Sequence, residues 1–485
     1  MIGIGVVPAP VSAVAGAGSF VLDESTHIRA DPAAIPVAEH LADAVRSLTG
    51  VALTVSSEPG ADGGLAVRLD GAARFGAEGY ELEVTPDGVV LLAHEPAGLF
   101  NGVQTFCQLV QASVTSGPFR PEVAGARISD LPRFAWRGAM LDVARHFFSV
   151  AEVKRFIDLA ALYKLNVLHL HLTDDQGWRI AIDGWPELTR IGASTEVGGG
   201  SGGFYTKADY AELVEYASAR YMTVVPEIDV PGHSNAALAS YPELNRDGNA
   251  AAPFTSTDVG FSALCVDKPI TYAFLEDVLG EVAAMTPGPF LHIGGDEAQT
   301  MTDEDYATFT ERVQKIVAAI GKRSVGWQEL TAGPLVRGTV VQYWNTGPGP
   351  AQAVQAVQKG AQVILSPADR AYLDMKYDGS TELGNDWAGY VDVRDAYDWD
   401  PATLIDGVEE ADVLGVEAAL WTETVADIGD LETMAYPRLP ALAEVAWSPS
   451  ARRDWADFRL RLAAQGTRWA AMGIRFHCSP QIPWS

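Results

Sequence analysis

The sequence predicts an α/β fold: a (β/α)8 barrel (TIM barrel) catalytic domain preceded by a smaller α+β domain. Three observations predict it. The chain has 485 residues, which at roughly 150 residues per domain suits one large barrel and a smaller partner. From residue 138 onward, eight short apolar runs alternate with helical periodicities, the pattern of a parallel sheet. The reactive residue types of this region gather at the C-terminal ends of those runs, where a barrel carries its active site.

Residues 1–130 read as the smaller unit. Residues 20–22, 65–69, 80–84 and 89–92 are short apolar or alternating runs bounded by Gly, Asp and Pro, and predict strands. Residues 36–48 and 98–111 space apolar side chains three and four apart and predict helices. No reactive constellation shows in this part, so a packing or docking role is expected. Residues 128–134 mark a junction, and the catalytic barrel is expected over 131–485. Its strands are expected at 138–143, 166–173, 223–228, 290–293, 324–327, 339–344, 362–365 and 415–421. Helices are expected at 151–162, opening after Ser149 as a cap, and at 207–220, 271–285, 303–320 and 431–447.

Lys plus Arg number 34 and Asp plus Glu 63, a formal net charge of −29. That charge repels phosphate backbones and anionic membrane surfaces. It excludes nucleic acid and membrane as main partners and leaves a neutral small molecule or polysaccharide open. Hydrophobic residues make up 48%, which supports a packed core rather than disorder. Cys107, Cys265 and Cys478 allow one disulfide at most, and the absence of C-x-x-C argues against a thiolate zinc site. The uncharged run before Asp23 has no preceding Lys or Arg and is interrupted by Pro8 and Pro10. It reads as the start of the folded domain rather than a signal peptide. The compartment is therefore expected to be the cytoplasm, or outside the cell with a signal already removed.

The first barrel strand runs into Asp142 and Arg145, the second into Asp174, Asp175 and Trp178. The third ends in Glu227, Asp229 and His233, and the fourth in His292-Ile-Gly-Gly-Asp296-Glu297. Trp327 and Glu329 follow the fifth, Trp344 and Asn345 the sixth, and Trp421 and Glu423 the eighth. Tryptophan beside carboxylate suggests carbohydrate: the aromatic face stacks on the C–H face of a sugar while acids bind its hydroxyls. Adjacent acids after paired glycines suggest glycoside cleavage, which needs a proton for the leaving oxygen and negative charge beside an oxocarbenium-like centre.

The stretches RGAMLDVARHF (137–147), NVLHLHLTDDQGWR (166–179), PEIDVPGHSNAAL (226–238), HIGGDEA (292–298), GWQE (326–329), QYWN (342–345) and LWTE (420–423) resemble the glycoside hydrolase family 20 β-N-acetylhexosaminidases of bacterial, actinomycete type. The opening VVPAPVSAVAGAGSF resembles that family's accessory domain, so the resemblance spans nearly the whole chain. It implies an exo-acting hydrolase that removes terminal non-reducing β-linked GlcNAc or GalNAc with retention. The nucleophile is then the substrate's own acetamido oxygen, which closes an oxazolinium ring. Glu297 is implied as acid and then base, and Asp296 as the carboxylate that holds the acetamido N–H. Asp229 is implied beside Asp296, and Asp174 with His233 as a pair reaching toward Glu297. Arg145 and Glu423 are implied to bind sugar hydroxyls, and Trp327, Trp344 and Trp421 to wall the pocket. The Tyr372 hydroxyl is implied to contact the acetamido oxygen, with Asp374 beside it among the substrate-binding residues, and Trp387 to form the neighbouring aglycone subsite.

The alternation of His169 and His171 invites a zinc reading, but the resemblance implies no metal and no cofactor. The implied partner is carbohydrate, either chito-oligosaccharides or glycans ending in GlcNAc or GalNAc, as in chitin degradation; it leaves the oligomeric state open. Three rivals stand beside this reading. A family 18 chitinase type is disfavoured because its D-x-x-D-x-D-x-E strand motif is absent. A disaccharide-releasing enzyme of the lacto-N-biosidase kind differs in pocket depth, which sequence does not show. A non-catalytic sugar-binding barrel should have lost Glu297, Asp296 or Arg145, and all three are present.

Overall fold

The computed structural model of the chain describes residues 5–57, 64–71, 75–114 and 121–484. Two compact units emerge. One comprises Met1–Ala135, Ala161–Lys164 and Ala443–Ser485, and the other Trp136–Ala160 and Leu165–Leu442.

The first unit holds a seven-stranded sheet built from β1 (Ser12–Val21), β2 (His27–Ala30), β3 (Thr54–Ser56), β4 (Gly64–Leu69), β5 (Tyr80–Thr85), β6 (Gly88–Ala93) and β7 (Glu122–Asp130). Their order is β1-β7-β5-β6-β4-β2-β3. β1, β7, β5 and β6 pair antiparallel, while β6, β4, β2 and β3 pair parallel. Helices α1 (Ile35–Thr49) and α2 (Pro96–Val114) pack on it. α1 buries Val37, Ala38, Leu41 and Val45, the three-four spacing of one helix face. The expected strands and helices of this unit are present; β2, β3 and β7 were not foreseen.

This unit encloses an ion pair. Lys164 Nζ lies 3.0 Å from Asp130 Oδ2 and donates to the Tyr80 hydroxyl at 2.8 Å, and both charged side chains are fully buried. Removing one partner of such a pair strands the other charge in a low-dielectric interior. Lys164→Met should therefore destabilise this unit by roughly 3–5 kcal/mol. Urea denaturation followed by tryptophan fluorescence checks this, and an unshifted midpoint would refute it.

The second unit is a closed barrel of eight parallel strands: β8 (Trp136–Asp142), β9 (Val167–His171), β10 (Thr223–Glu227), β11 (Phe290–His292), β12 (Arg323–Trp327), β13 (Val340–Tyr343), β14 (Gln362–Leu365) and β15 (Val413–Leu420). β15 pairs with β8 to close it. Each strand falls within two residues of its expected place. Every strand contributes one side chain to an apolar cluster: Trp136, Val167, Val225, Phe290, Val325, Val340, Ile364 and Leu414. Alternate residues share a strand face, so the face that begins with Val167 continues to His169 and His171, and that of Val225 to Glu227. Gly138 is required on β8 because a Cβ there would overlap the Glu417 carboxylate.

Helices Val150–Ala161, Lys207–Ser218, Pro269–Met285 and Asp303–Ala319 lie where periodicity placed them. Ser149 caps the first: its amide and hydroxyl donate to the Glu152 carboxylate at 2.8 and 2.7 Å. The single helix expected at 431–447 is instead two, Ile428–Ala435 and Arg438–Trp447. Pro437 has no N–H to donate and forces Tyr436 into extended backbone, φ −105° and ψ 131°. All three cysteines are free, with Cys107 and Cys265 buried. Among the described residues no helix is long and apolar enough to cross a membrane.

Candidate active site

A cavity of about 500 Å3 opens among residues that follow the barrel strands at their C-terminal ends, a volume within the usual range for small-ligand sites. Its walls are aromatic. The rings of Trp344 and Tyr372 stand nearly parallel, 6.3 Å apart, and Trp387 meets both edge-on at 5.9 Å. Trp421 closes the set 6.2 Å from Tyr372. Trp387 is 57% exposed whereas Trp421 is 9% exposed, so Trp387 marks the mouth and Trp421 the depth. Trp327 is not part of the lining. It is 1% exposed, its indole N–H donates to Glu227 at 3.0 Å, and its ring backs Trp421 at 5.7 Å.

Arg145, Asp296, Glu297, Asp374 and Glu423 line the same cavity. The Arg145 guanidinium lies 2.9 Å from Asp174 and 3.3 Å from Asp142, and 4.9 Å from the Trp421 ring centroid. Four of the buried polar atoms here, Arg145 Nε, Asp296 Oδ1, Asp374 Oδ1 and Glu423 Oε2, have no hydrogen-bonding partner among the described residues. Buried polar groups are almost always satisfied, so this cluster of open donors and acceptors is a place prepared for a polar ligand. Burial, with the Glu423 charge beside it, pushes the Asp374 carboxyl well above its usual range, and burial raises Glu423 as well.

The acidic pair follows β11. Gly294 and Gly295 take positive φ of 61° and 104°. At Gly294 a Cβ would overlap the Asp229 carboxylate, and the Gly295 N–H donates to Asp229 at 3.2 Å. The paired glycines therefore let the loop after β10 close onto the loop after β11. Glu297 and His233 are themselves left-handed, with φ of 48° and 49°, a strained state held by the surrounding loops. His233 Nδ1 lies 3.1 Å from Asp174 Oδ1, while its Nε2 lies 3.3 Å from Glu297 Oε2 and 3.5 Å from Asp296 Oδ2. Asp174, Asp229 and His233 thus lie beneath the cavity rather than in its lining, directly behind the acidic pair.

Burial pushes Asp229 well above the usual carboxylate range, and neighbouring Asp296 adds to it. Burial pushes Asp296 up to about 6, against the opposing pull of His233. Each of the two carboxyls therefore influences the ionisation of the other. Burial disfavours the charged form of His233, yet Asp174 and Asp296 outweigh it and hold the imidazole well above its ordinary value. Groups such as His169, Glu227 and His292 bring possible metal-ligating atoms within 4.8 Å of one another. The Glu227 oxygens there already accept from His169 at 2.9 Å and Trp327 at 3.0 Å.

Sequence reasoning missed several lining residues. Thr257 and Val259 come from the excursion between β10 and β11, and Asn385 and Ala388 from the loop after β14. Those loops have no periodicity to read. Glu329, noted only as a strand-end residue, accepts the Trp344 indole N–H at 3.1 Å, and burial together with Asp296 pushes it up to about 8.

Residues 134–450 match the family described as Glycosyl hydrolase family 20, catalytic domain, and residues 3–131 match its domain 2. The chain is 48% identical over 485 residues to a β-N-acetylhexosaminidase of Cellulomonas fimi, covering 99% of this chain and 97% of that one. It superposes on the family 20 β-N-acetylhexosaminidase of Streptomyces coelicolor A3(2) with a TM-score of 0.96 and 53% identity, covering 99% of both chains. A mutant Streptomyces plicatus β-hexosaminidase in complex with its product GlcNAc gives the same TM-score of 0.96 and 53% identity, over 99% of this chain and 98% of that one. With that geometry at the strand ends and a catalytic-domain match spanning the barrel, the chain belongs to glycosyl hydrolase family 20 and is a glycoside hydrolase.

Proposed function

We propose that the chain is an exo-acting β-N-acetylhexosaminidase that cleaves terminal non-reducing β-linked GlcNAc or GalNAc from chito-oligosaccharides or glycans, with the substrate's acetamido oxygen as nucleophile. The observation that carries this reading is the set of unpartnered buried polar atoms of Arg145, Asp296, Asp374 and Glu423 around an aromatic-walled cavity. A sugar supplies hydroxyls and an amide for those atoms and C–H faces for the rings.

Arg145 and Glu423 bind ring hydroxyls, and Trp344, Tyr372 and Trp421 enclose the sugar. Trp327 supports Trp421 from behind, Asp374 acts with Tyr372 at the acetamido group, and Trp387 carries the aglycone at the mouth. Glu297 protonates the leaving oxygen and then takes the proton of the attacking water. Asp296 accepts the acetamido N–H and faces the positive charge that grows as the ring closes, while Asp229, raised well above the usual carboxylate range, lies behind it. Asp174 fixes His233, whose Nε2 faces Glu297. The Streptomyces plicatus relative holds GlcNAc as its product, which favours release of one sugar over release of a disaccharide.

The test is hydrolysis of p-nitrophenyl β-GlcNAc and β-GalNAc beside chitobiose and chitotriose. Release of monosaccharide from each non-reducing end is expected, and release of disaccharide only would overturn the exo-monosaccharide reading. A pH dependence follows. Asp296 acts ionised and titrates at about 6, so on the acid side kcat/KM should fall roughly tenfold per unit below that value, while loss of the acid's proton gives an alkaline limb. A profile flat down to pH 4.5 would contradict this role.

A further inference from the structure

We propose that His171, buried in the barrel between Glu227 and Asp174, is a permanently protonated positioning residue that sets the charge felt by the Asp174–His233–Glu297 line. The proposal rests on the roles given above to those three residues. Its ground is a count of donors and acceptors. His171 Nδ1 lies 2.5 Å from Glu227 Oε2, and Nε2 lies 2.8 Å from Asp174 Oδ2. A neutral imidazole carries one N–H, so two carboxylate neighbours require a second proton, on the ring or on an acid. The acids have no place for it. Glu227 Oε2 also lies 2.9 Å from His169 Nε2, and its Oε1 accepts the Trp327 N–H at 3.0 Å and lies 2.8 Å from His292 Nδ1. Asp174 also faces Arg145 at 2.9 Å, the Asp175 N–H at 2.6 Å and His233 at 3.1 Å. The second proton therefore belongs to the ring. His169 repeats the arrangement between Glu417 at 2.8 Å and Glu227 at 2.9 Å.

Carboxylates dominate the groups around His171. Glu227 and Asp229 face it from β10 and the loop beyond, Asp142 from the end of β8, and Asp174, itself 2.9 Å from the Arg145 guanidinium, from its own loop. Trp421, after β15, presents its ring edge-on at 4.9 Å. Burial alone would discharge His171, but the Glu227 and Asp174 carboxylates reverse this and hold it well above the ordinary imidazole value. Its fixed charge offsets Asp174 and so limits how strongly Asp174 holds the proton of His233. Removing that charge leaves His233 holding its proton more strongly, and with it the line that ends at Glu297.

Two measurements on the full chain test this. In 15N-histidine-labelled protein, the His171 signal, assigned by its loss in His171→Gln, should show both ring nitrogens protonated from pH 5 to 8. In Glu227→Gln it should begin to titrate within that range. A neutral tautomer, or titration of His171 in the wild type, overturns the proposal. Should His171→Gln not fold, at least two of the nine histidines must stay doubly protonated at pH 8, namely His169 and His171; fewer overturns it. In kinetics, His171→Gln keeps a donor but loses the charge. The alkaline limb of kcat/KM on p-nitrophenyl β-GlcNAc should rise by about one unit. A uniform rate loss with an unmoved limb would reduce His171 to packing and overturn the proposal. Failure of the underlying functional reading looks different: the wild type cleaves no hexosaminide while the imidazolium signals persist.

Discussion

Glu297→Gln should lose two to four orders of magnitude, roughly 10²–10⁴, in kcat/KM on chitobiose and far less on p-nitrophenyl β-GlcNAc. The glutamine keeps the size of the side chain and its place opposite His233 Nε2, which lies 3.3 Å from Glu297 Oε2, but has no proton to give. A sugar leaving group needs that proton, whereas p-nitrophenolate leaves without it. The strained left-handed backbone at Glu297, φ 48°, is unchanged by the substitution, so a fold defect is not expected. Equal losses on both substrates would remove Glu297 from the acid role.

Asp296→Asn should lower kcat on the order of a hundredfold or more and leave KM nearly unchanged. The acetamido nitrogen gains positive charge only as its oxygen attacks, so a carboxylate at this place interacts more strongly with the transition state than with the bound substrate. Asparagine keeps the shape, loses the charge and can turn its amide donor toward the substrate's own donor. A raised KM with intact kcat would mean that Asp296 only binds. A lowered melting temperature with intact turnover would mean that it only holds the loop after Gly295, whose N–H already reaches Asp229 at 3.2 Å.

The barrel was legible because each strand is a short buried run ending in charged or aromatic residues. β9 reads Val167–His171, buried throughout, before Asp174 and Asp175. The break at Pro437 was equally visible, yet the apolar spacing on both sides of it suggested one helix over 431–447. β3 was not legible: it has three residues, exposed at both ends, and its partner β2 supplies its register. In the site, Asp296, Glu297, Arg145 and Glu423 stand beside strand ends and could be read from position. The retreat of Trp327 behind Trp421 could not, because it depends on the Glu227 carboxylate taking its N–H. Val259 and Asn385 come from irregular loops whose course is set by tertiary packing.

In the proposed mechanism the substrate's acetamido oxygen performs the attack, with Asp296 and Glu297 arranged to assist it. The measurement that tests it most directly is kcat/KM on p-nitrophenyl β-glycosides whose 2-acetamido group carries zero, one, two or three fluorines. Fluorine draws electron density from the carbonyl oxygen and leaves the glycosidic bond and its leaving group unchanged. A steep, progressive fall in rate with each fluorine is expected. Rates that hold constant across the series would place the nucleophile on the protein or on water and rule out attack by the acetamido oxygen.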